Sequence, residues 1–264
     1  MSEIPPIVRF RGMCFDEKSS FMYGPASGPK AIRKALHSGS MNLYTEDLTD
    51  LGNLKEWDLG DFYPEQYTSI RELTAEHLKS DARLLTLGGD HSITYPILQA
   101  YAAQYQKIDI LHIDAHSDLY QEYDGDPHSH ACPFARIMEE GLANRLVQVG
   151  IRTLNAHQHN QAQRFGVEVH SMNSRCLELP FQFKNPVYIS LDLDALDPAY
   201  APGVSHREPG GLSTRELLTF LQSLQARVVG ADLVEYNPLQ DIGDVTAYVG
   251  AKLTKELLGL LLKN

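Results

Sequence analysis

Five short apolar runs, which alternate with helix-like segments, constrain the fold of this chain more than any other feature. They are rich in Leu, Ile and Val, as expected for strands that are buried on both faces. The runs are Leu84–Leu87, Ile108–Ile113, Leu146–Ile151, Val187–Leu193 and Val228–Val234. Strands that alternate with helices predict an α/β fold with a mainly parallel sheet covered on both faces.

Helical patterns occupy the segments around these runs. They cover Gly28–Leu36, Gln66–Lys79, Ile93–Tyr105, Cys132–Glu140, Ala156–Phe165 and Ala247–Leu262. Ser213 and Glu216 form a capping box, which predicts the start of another helix. Because no repeat or long linker interrupts the chain, its 264 residues (1–264) are expected to form one domain.

The composition limits the kinds of molecule that the protein is expected to bind. The net charge of −11 argues against nucleic acid and anionic membranes, and it suits a small cationic ligand. The start of the chain has no basic segment followed by an apolar run, so neither a secretory signal nor a transit peptide is expected. Cys14, Cys132 and Cys176 are odd in number and far apart, which favours a reducing compartment over a disulfide framework. We expect a cytoplasmic protein.

Acidic and histidine residues follow the apolar runs, at the ends where function gathers in parallel sheets. The segment 88–92 (GGDHS) places His91 after a glycine turn, although a turn entering a helix would give the same pattern. In the segment 114–118 (DAHSD), Asp114, His116 and Asp118 are two residues apart and would share one face of an extended chain. A solvated turn is the alternative.

The run Val187–Leu193 also ends in aspartates. Asp192 and Asp194 again would share one face, and core packing does not explain why an apolar strand should end this way twice. Buried charges without partners are costly, and a divalent metal is the simplest compensation.

The three clusters together supply four carboxylates and two imidazoles. Two divalent cations would neutralise the carboxylates, which otherwise repel each other and take up protons. Oxygen-rich ligation with some imidazole favours Mn²⁺, whereas Zn²⁺ sites usually contain more nitrogen or sulfur. Two such ions about 3.5–4 Å apart can activate one water molecule near neutral pH.

The combination of GGDHS, DAHSD and SLDLDALDP (190–198) resembles the arginase/agmatinase (ureohydrolase) family over most of the chain. The resemblance implies a three-layer α/β/α sandwich and two Mn²⁺ per subunit. It implies that His91 and Asp118 bind one manganese and that His116 and Asp194 bind the other. The same resemblance makes Asp114 and Asp192 the bridging carboxylates, and it implies a homotrimer or homohexamer.

Two further site residues come from the same resemblance. His130 in the segment 129–134 (SHACPF) corresponds to the family's proton-shuttling histidine, and His128 competes for this assignment. Glu235 in the segment 230–238 (GADLVEYNP) corresponds to the glutamate that pairs with the guanidinium, since a carboxylate accepts two parallel hydrogen bonds from that group.

Further segments resemble the plant-type arginases in particular. Many family members have glycine where this chain has Ala131, and the residues from His130 to Glu139 are closer to the plant pattern. The segments 201–206 and 208–213 also follow it. The plant enzymes carry an organellar leader, which we do not expect here.

The implied reaction is hydrolysis of a guanidino substrate to urea and an amine. Activated water attacks the guanidinium carbon, Asp118 helps to stabilise the intermediate, and His130 delivers a proton to the departing amine. The plant-like loop Leu119–Ser129 favours L-arginine, which gives ornithine. The alternatives are agmatine, which gives putrescine, guanidinobutyrate, formiminoglutamate, and a metal-binding relative without catalysis.

Three single residues leave smaller questions open. Cys132 lies two residues after His130, but a Cys/His nucleophile has no evident third group to orient it. His112 is expected to be a hydrogen-bonded core histidine more than a seventh ligand. His206 is expected either to line the mouth of the site or to lie on a surface loop.

Overall fold

A single parallel sheet forms the centre of the computed structural model, which describes residues 6–173 and 182–263. Its strands in the described ranges are β1 (Val8–Met13), β2 (Asp58–Phe62), β3 (Arg83–Leu87), β4 (Asp109–Ile113), β5 (Arg145–Ile151), β6 (Glu168–Ser171), β7 (Val187–Asp192) and β8 (Val228–Val234). They are ordered β2-β1-β3-β8-β7-β4-β5-β6 across the sheet. The mainly parallel sheet predicted from the apolar runs is therefore confirmed.

Helices cover both faces of this sheet. They are α1 (Gly28–Leu36), α2 (Leu54–Trp57), α3 (Ser69–Leu78), α4 (Thr94–Gln104), α5 (Pro133–Glu139), α6 (Ala156–Phe165), α7 (Thr214–Ser223) and α8 (Val245–Leu262). One apolar core packs α1, α2, α7 and α8 against one face, and a second core packs α3 to α6 against the other. Alternate residues of β3 enter the two cores, Leu84 on one side and Leu85 on the other. The fold is the expected three-layer sandwich.

The predicted capping box forms at the start of α7. The Glu216 N–H donates to Ser213 Oγ at 3.2 Å, and Glu216 Oε2 accepts the Ser213 N–H at 2.8 Å. Together these bonds satisfy two backbone donors that the first helical turn leaves unpaired.

Among the boundaries that differ from the sequence-based expectation, two adjoin the candidate site. The strand expected to reach Leu193 ends at Asp192, because Leu193–Ala195 forms a 3₁₀ turn. The helix expected to begin at Ile93 begins at Thr94, after a 3₁₀ turn over His91–Ile93. Strands β1, β2 and β6 and the short helix α2 were not predicted.

None of the helices in the described ranges combines the length and the apolar character needed to cross a membrane. Cys14 and Cys132 are buried free thiols. Cys176 lies outside the described residues.

Candidate metal centre

Four neighbouring strands carry the candidate residues at their carboxyl ends. Strands β3, β8, β7 and β4 are adjacent in that order at the middle of the sheet. They lead into His91, Glu235, Asp192 and Asp114 respectively. Parallel strands present their carboxyl ends at one edge, so clusters that are far apart in sequence meet there.

Tight turns at the strand ends, and not extended strands, bring the residues of each cluster together. Asp114 Oδ1 accepts the His116 N–H at 2.5 Å, and Asp192 Oδ1 accepts the Asp194 N–H at 2.7 Å. Each aspartate thus accepts a hydrogen bond from the backbone N–H two residues later. This contact forms a local turn that Asp favours. The expectation that the members of each cluster share one face of an extended chain is wrong, because both strands have ended where the turns begin.

His91 lies at the centre of the first group of candidate ligands. Its Nδ1 is 3.1 Å from Asp114 Oδ2, 3.2 Å from Asp118 Oδ2 and 3.2 Å from Asp192 Oδ2. The ring is buried, yet this nitrogen has no hydrogen-bond partner within the described residues. A buried polar atom without a partner that faces three carboxylates is suited to bind a cation.

The other ring nitrogen of His91 fixes the orientation of Nδ1. His91 Nε2 is 2.9 Å from Ser190 Oγ, whose hydroxyl donates to Asp232 Oδ1 at 2.7 Å. Because that hydroxyl proton is already committed, Ser190 Oγ must accept a hydrogen bond from the Nε2–H of His91. The lone pair of the neutral imidazole is then on Nδ1 and points into the carboxylate group, as in histidines that bind metals.

A second group lies beside the first and shares one residue with it. His116 Nδ1 is 2.9 Å from Asp194 Oδ2 and 3.5 Å from Asp114 Oδ1. Asp114 therefore places one oxygen in each group. This geometry is compatible with a carboxylate that bridges two ions.

His112 forms a hydrogen bond with Asp114. Gln148 Nε2 donates both to His112 Nδ1 at 3.0 Å and to Ser117 O at 2.7 Å, so the ring carries its proton on Nε2. That nitrogen lies 2.7 Å from Asp114 Oδ2. The contact orients Asp114, and the ring stacks on Phe134 at 3.8 Å. His112 is thus the hydrogen-bonded core histidine that was expected.

The buried carboxylates cannot all remain charged on their own. Burial, together with the negative charge of Asp114, raises the pKa of Asp194 to about 6. Burial and the charges of Asp194 and Asp114 raise the pKa of Asp192 well above its ordinary value. Two divalent cations would supply the missing positive charge, so this donor set fits a binuclear site.

Glu235 and Asp118 both have backbone angles that residues other than glycine rarely adopt. The φ angle is 64° at Glu235 and 48° at Asp118. Such angles are costly and tend to occur at functional sites. The Glu235 N–H donates to Gly89 O at 2.8 Å, which helps to hold this conformation.

The Glu235 side chain has one oxygen engaged, and the other has no hydrogen bond within the described residues. Its Oε1 accepts the His91 backbone N–H at 2.8 Å and also lies 2.8 Å from His130 Nδ1. On its other side, His130 Nε2 lies 2.8 Å from Ser20 Oγ and accepts the Ser20 N–H at 3.2 Å. Sequence reasoning missed Ser20, because a serine in a loop before the first helix has no pattern that distinguishes it.

His128 occupies a different environment. Its ring packs against Tyr67 at 5.5 Å and Tyr95 at 5.7 Å between ring centroids. His130 lines the cavity above the candidate metal centre, and His128 does not.

A cavity of about 200 Å³ opens onto the site. His116, Asp118, Asp192, Asp194, His130 and Glu235 lie on its walls. His206 also lines it, with a buried Nε2 that has no hydrogen-bond partner in the described part of the chain. The open question about His206 is therefore resolved in favour of the cavity.

Cys132 is unsuited to act as a nucleophile. It is fully buried, and burial raises the pKa of its thiol to about 12. A thiol is reactive as the thiolate, which is absent at neutral pH with such a pKa.

Known proteins with this sequence pattern and fold share one family. The sequence profile of the Arginase family matches residues 7–259. Arginase 1, mitochondrial, of Arabidopsis thaliana is 44% identical over 96% of this chain and 80% of its own length. The mitochondrial guanidino acid hydrolase of Homo sapiens is 37% identical over 96% of this chain and 78% of its own length.

A solved structure agrees with these relatives. The arginase from Medicago truncatula superposes with a TM-score of 0.91 at 41% identity, over 98% of this chain and 88% of that one. The chain belongs to the arginase family, and its buried carboxylate and imidazole cluster lies at the strand ends of an arginase-like fold.

Proposed function

We propose that the protein is a manganese-dependent arginase that hydrolyses L-arginine to urea and ornithine. The observation that carries the proposal is the cluster of four aspartates and two histidines, all buried except the half-buried His116, beside the cavity that Glu235 lines. The 44% identity to a plant enzyme named as an arginase supports L-arginine as the substrate.

The proposed metal ligands are the six residues predicted from the sequence. His91 and Asp118 would hold one Mn²⁺, His116 and Asp194 would hold the other, and Asp114 and Asp192 would bridge the two. When bound, the two cations would act as Lewis acids and lower the pKa of a water molecule to about 7. The predominance of oxygen donors favours Mn²⁺ over Zn²⁺.

Glu235 is proposed to orient the guanidinium. Burial raises the pKa of this carboxyl, but the charge and hydrogen bond of His130, together with the contacts from His91, outweigh that effect, so its pKa lies below the ordinary value and it stays ionised. Since Oε1 is already engaged, Oε2 is the atom that would accept hydrogen bonds from the substrate. A charge-assisted bond of this kind is among the strong ones in proteins.

His130 is proposed to carry the proton that the departing amine requires. Burial lowers its pKa, but Glu235 raises it more, to about 9, so the ring is protonated at neutral pH. In that state Nε2 can donate to Ser20 Oγ, and in the neutral state it accepts from the Ser20 N–H. Both protonation states therefore have a partner. Asp118, beside both His91 and the cavity, is proposed to stabilise the intermediate.

Agmatine is the second candidate substrate, and the charge of the cavity favours it. The lining residues include five carboxylates and, within the described ranges, no Lys or Arg. The five are Asp118, Asp192, Asp194, Glu208 and Glu235. The proposed metal ions would neutralise the three aspartates, which leaves Glu208 and Glu235. L-Arginine must place its α-carboxylate near these remaining negative charges, whereas agmatine has no carboxylate. Guanidinobutyrate and formiminoglutamate carry carboxylates and no ammonium group, so they fit less well.

Assembly and location are proposed on separate grounds. A homotrimer or homohexamer would cover the apolar side chains of Phe21, Tyr23, Leu239 and Ile242, which are 62% to 75% exposed. The cytoplasmic location and the single domain over 1–264 stay predictions. The relatives from Arabidopsis thaliana and Homo sapiens are themselves named as mitochondrial enzymes.

A urea assay over a panel of substrates tests the proposal. The Mn²⁺-loaded protein is incubated with L-arginine, agmatine, 4-guanidinobutyrate and formiminoglutamate, and urea and formamide are measured. Urea released fastest from L-arginine supports the proposal. A higher kcat/KM for agmatine selects the second candidate, and formamide release alone overturns both.

A further inference from the structure

One carboxylate of the cavity has no part in the chemistry described so far. Of the five acidic side chains that line it, four are assigned to metal ions or to the guanidinium. The fifth is Glu208, which is half-buried and follows His206 in the loop between β7 and α7.

Arg152 ties the backbone of Glu208 to the metal centre. Its guanidinium donates to Glu208 O from Nε at 3.0 Å and from Nη2 at 2.6 Å. The same Nη2 donates to Asp194 O at 2.6 Å. One rigid, planar group thus sets the spacing between a proposed metal ligand and the Glu208 backbone.

Hydrogen bonds also fix the backbone of Gly210 and Gly211 in the same loop. Asp197 Oδ2 accepts the N–H of Gly210 at 2.7 Å and that of Gly211 at 3.3 Å. Gly210 has a φ angle of 88°, which favours glycine, and a Cβ on Gly211 would lie 2.6 Å from Asp197 N. Glu208 therefore lines the cavity from a loop whose backbone is held at Glu208 and again at Gly210 and Gly211.

We propose that Glu208 binds the primary ammonium group at the end of the substrate opposite the guanidinium. The inference rests on the proposed function, since it concerns a guanidino substrate whose reacting end lies at Glu235. A half-buried carboxylate in the cavity wall attracts a cationic group, and no Lys or Arg among the described lining residues competes for it. L-Arginine and agmatine both carry this ammonium. In its place 4-guanidinobutyrate carries a carboxylate, which Glu208 repels.

The test compares Glu208→Gln with the wild-type enzyme on these three compounds. The backbone contacts of Glu208 use its carbonyl, so the substitution leaves them in place, and the melting temperature checks the fold. Glu17→Gln is the matched control, because Glu17 is exposed, lies outside the cavity lining and loses the same charge. KM is measured for each compound that the enzyme hydrolyses. A compound that is not hydrolysed is tested as an inhibitor of the best substrate, and its Ki is measured.

We expect Glu208→Gln to raise KM or Ki for L-arginine and agmatine by about tenfold with kcat little changed, since a charge-assisted hydrogen bond is lost. The KM or Ki of the variant for 4-guanidinobutyrate should equal that of the wild type or be lower. An equal change for all three compounds, or a change that Glu17→Gln reproduces, overturns the assignment. Wild-type enzyme that releases urea from none of them contradicts the proposed function itself, and with it this inference.

Discussion

His130 Nδ1 lies 2.8 Å from Glu235 Oε1, and both side chains are buried at the floor of the cavity. The contact joins the proposed proton carrier to the proposed anchor of the guanidinium. It also explains why the pKa of His130 is raised to about 9 although burial alone would lower it. The charge of one residue thereby sets the protonation of the other.

Glu235→Gln is expected to lower kcat/KM by about 30- to several-thousand-fold, the range for mispairing a buried charged contact. The amide keeps the size but loses the charge, and its NH₂ group faces a substrate that offers only donors. The loss should be similar for L-arginine and agmatine, because both carry the guanidinium. Elemental analysis should still find two manganese ions per chain. An emptied metal site, or a changed preference between the two substrates, would show that Glu235 acts elsewhere.

His130→Ala is expected to keep both metal ions and lose turnover, because the proton carrier is removed while the six proposed ligands remain. His128→Ala is the matched control from the same loop, since its ring packs on Tyr67 and Tyr95 away from the cavity. Steady-state rates and metal content are measured for both. Unchanged turnover in His130→Ala would transfer the shuttle function to other groups.

Asp114→Ala is expected to abolish metal binding and to destabilise the protein at once. The substitution removes the shared carboxylate, the acceptor of the His116 N–H and the partner of His112. Adding Mn²⁺ should raise the melting temperature of the metal-free wild type, because a ligand at 100 times its Kd stabilises by about 2.7 kcal/mol. The variant should show no such rise, and Asp192→Ala should behave in the same way. A normal Mn²⁺-induced rise would contradict the bridging assignment.

His77 is expected to make stability depend on pH. Burial, together with the positive charge of Arg11, lowers the pKa of His77 from 6.5 to about 4. The unfolded chain therefore binds more protons than the folded one between these values, and stability falls as the pH drops from 6.5 towards 4.

His77→Gln is the variant that isolates this effect, since Gln keeps an acceptor for Arg11 Nη1 and does not titrate. Denaturation by urea at pH 7 and pH 4.5 should show a smaller loss of stability in the variant than in the wild type. Equal losses would mean that other groups cause the acid sensitivity.

The central strands were predictable from sequence, and the outer ones were not. Strands β3, β4, β5, β7 and β8 are mainly apolar, because helices cover them on both faces. Strand β1 contains Arg9 and Arg11 and therefore does not match that pattern. Only the fold shows that Arg11 is fully buried, where it donates to the hydroxyls of Thr86 and Thr74.

The candidate metal centre was more predictable than the cavity above it. Its six residues follow strand ends, which the apolar runs locate, and core packing does not account for aspartates at such places. Ser20 and Glu208 reach the cavity from loops, and their position depends on distant residues such as His130 and Arg152. Short-range sequence patterns do not contain that information.

The products formed from L-arginine in ¹⁸O-labelled water test the proposed reaction most directly. Mn²⁺-loaded enzyme should form urea and ornithine in equal amounts, with the label in urea and none in ornithine, because water attacks the guanidinium carbon and the bond to the side-chain nitrogen breaks. Mass spectrometry of both products resolves the two outcomes. Citrulline and ammonia in place of urea and ornithine, or unconsumed L-arginine, would contradict the assignment.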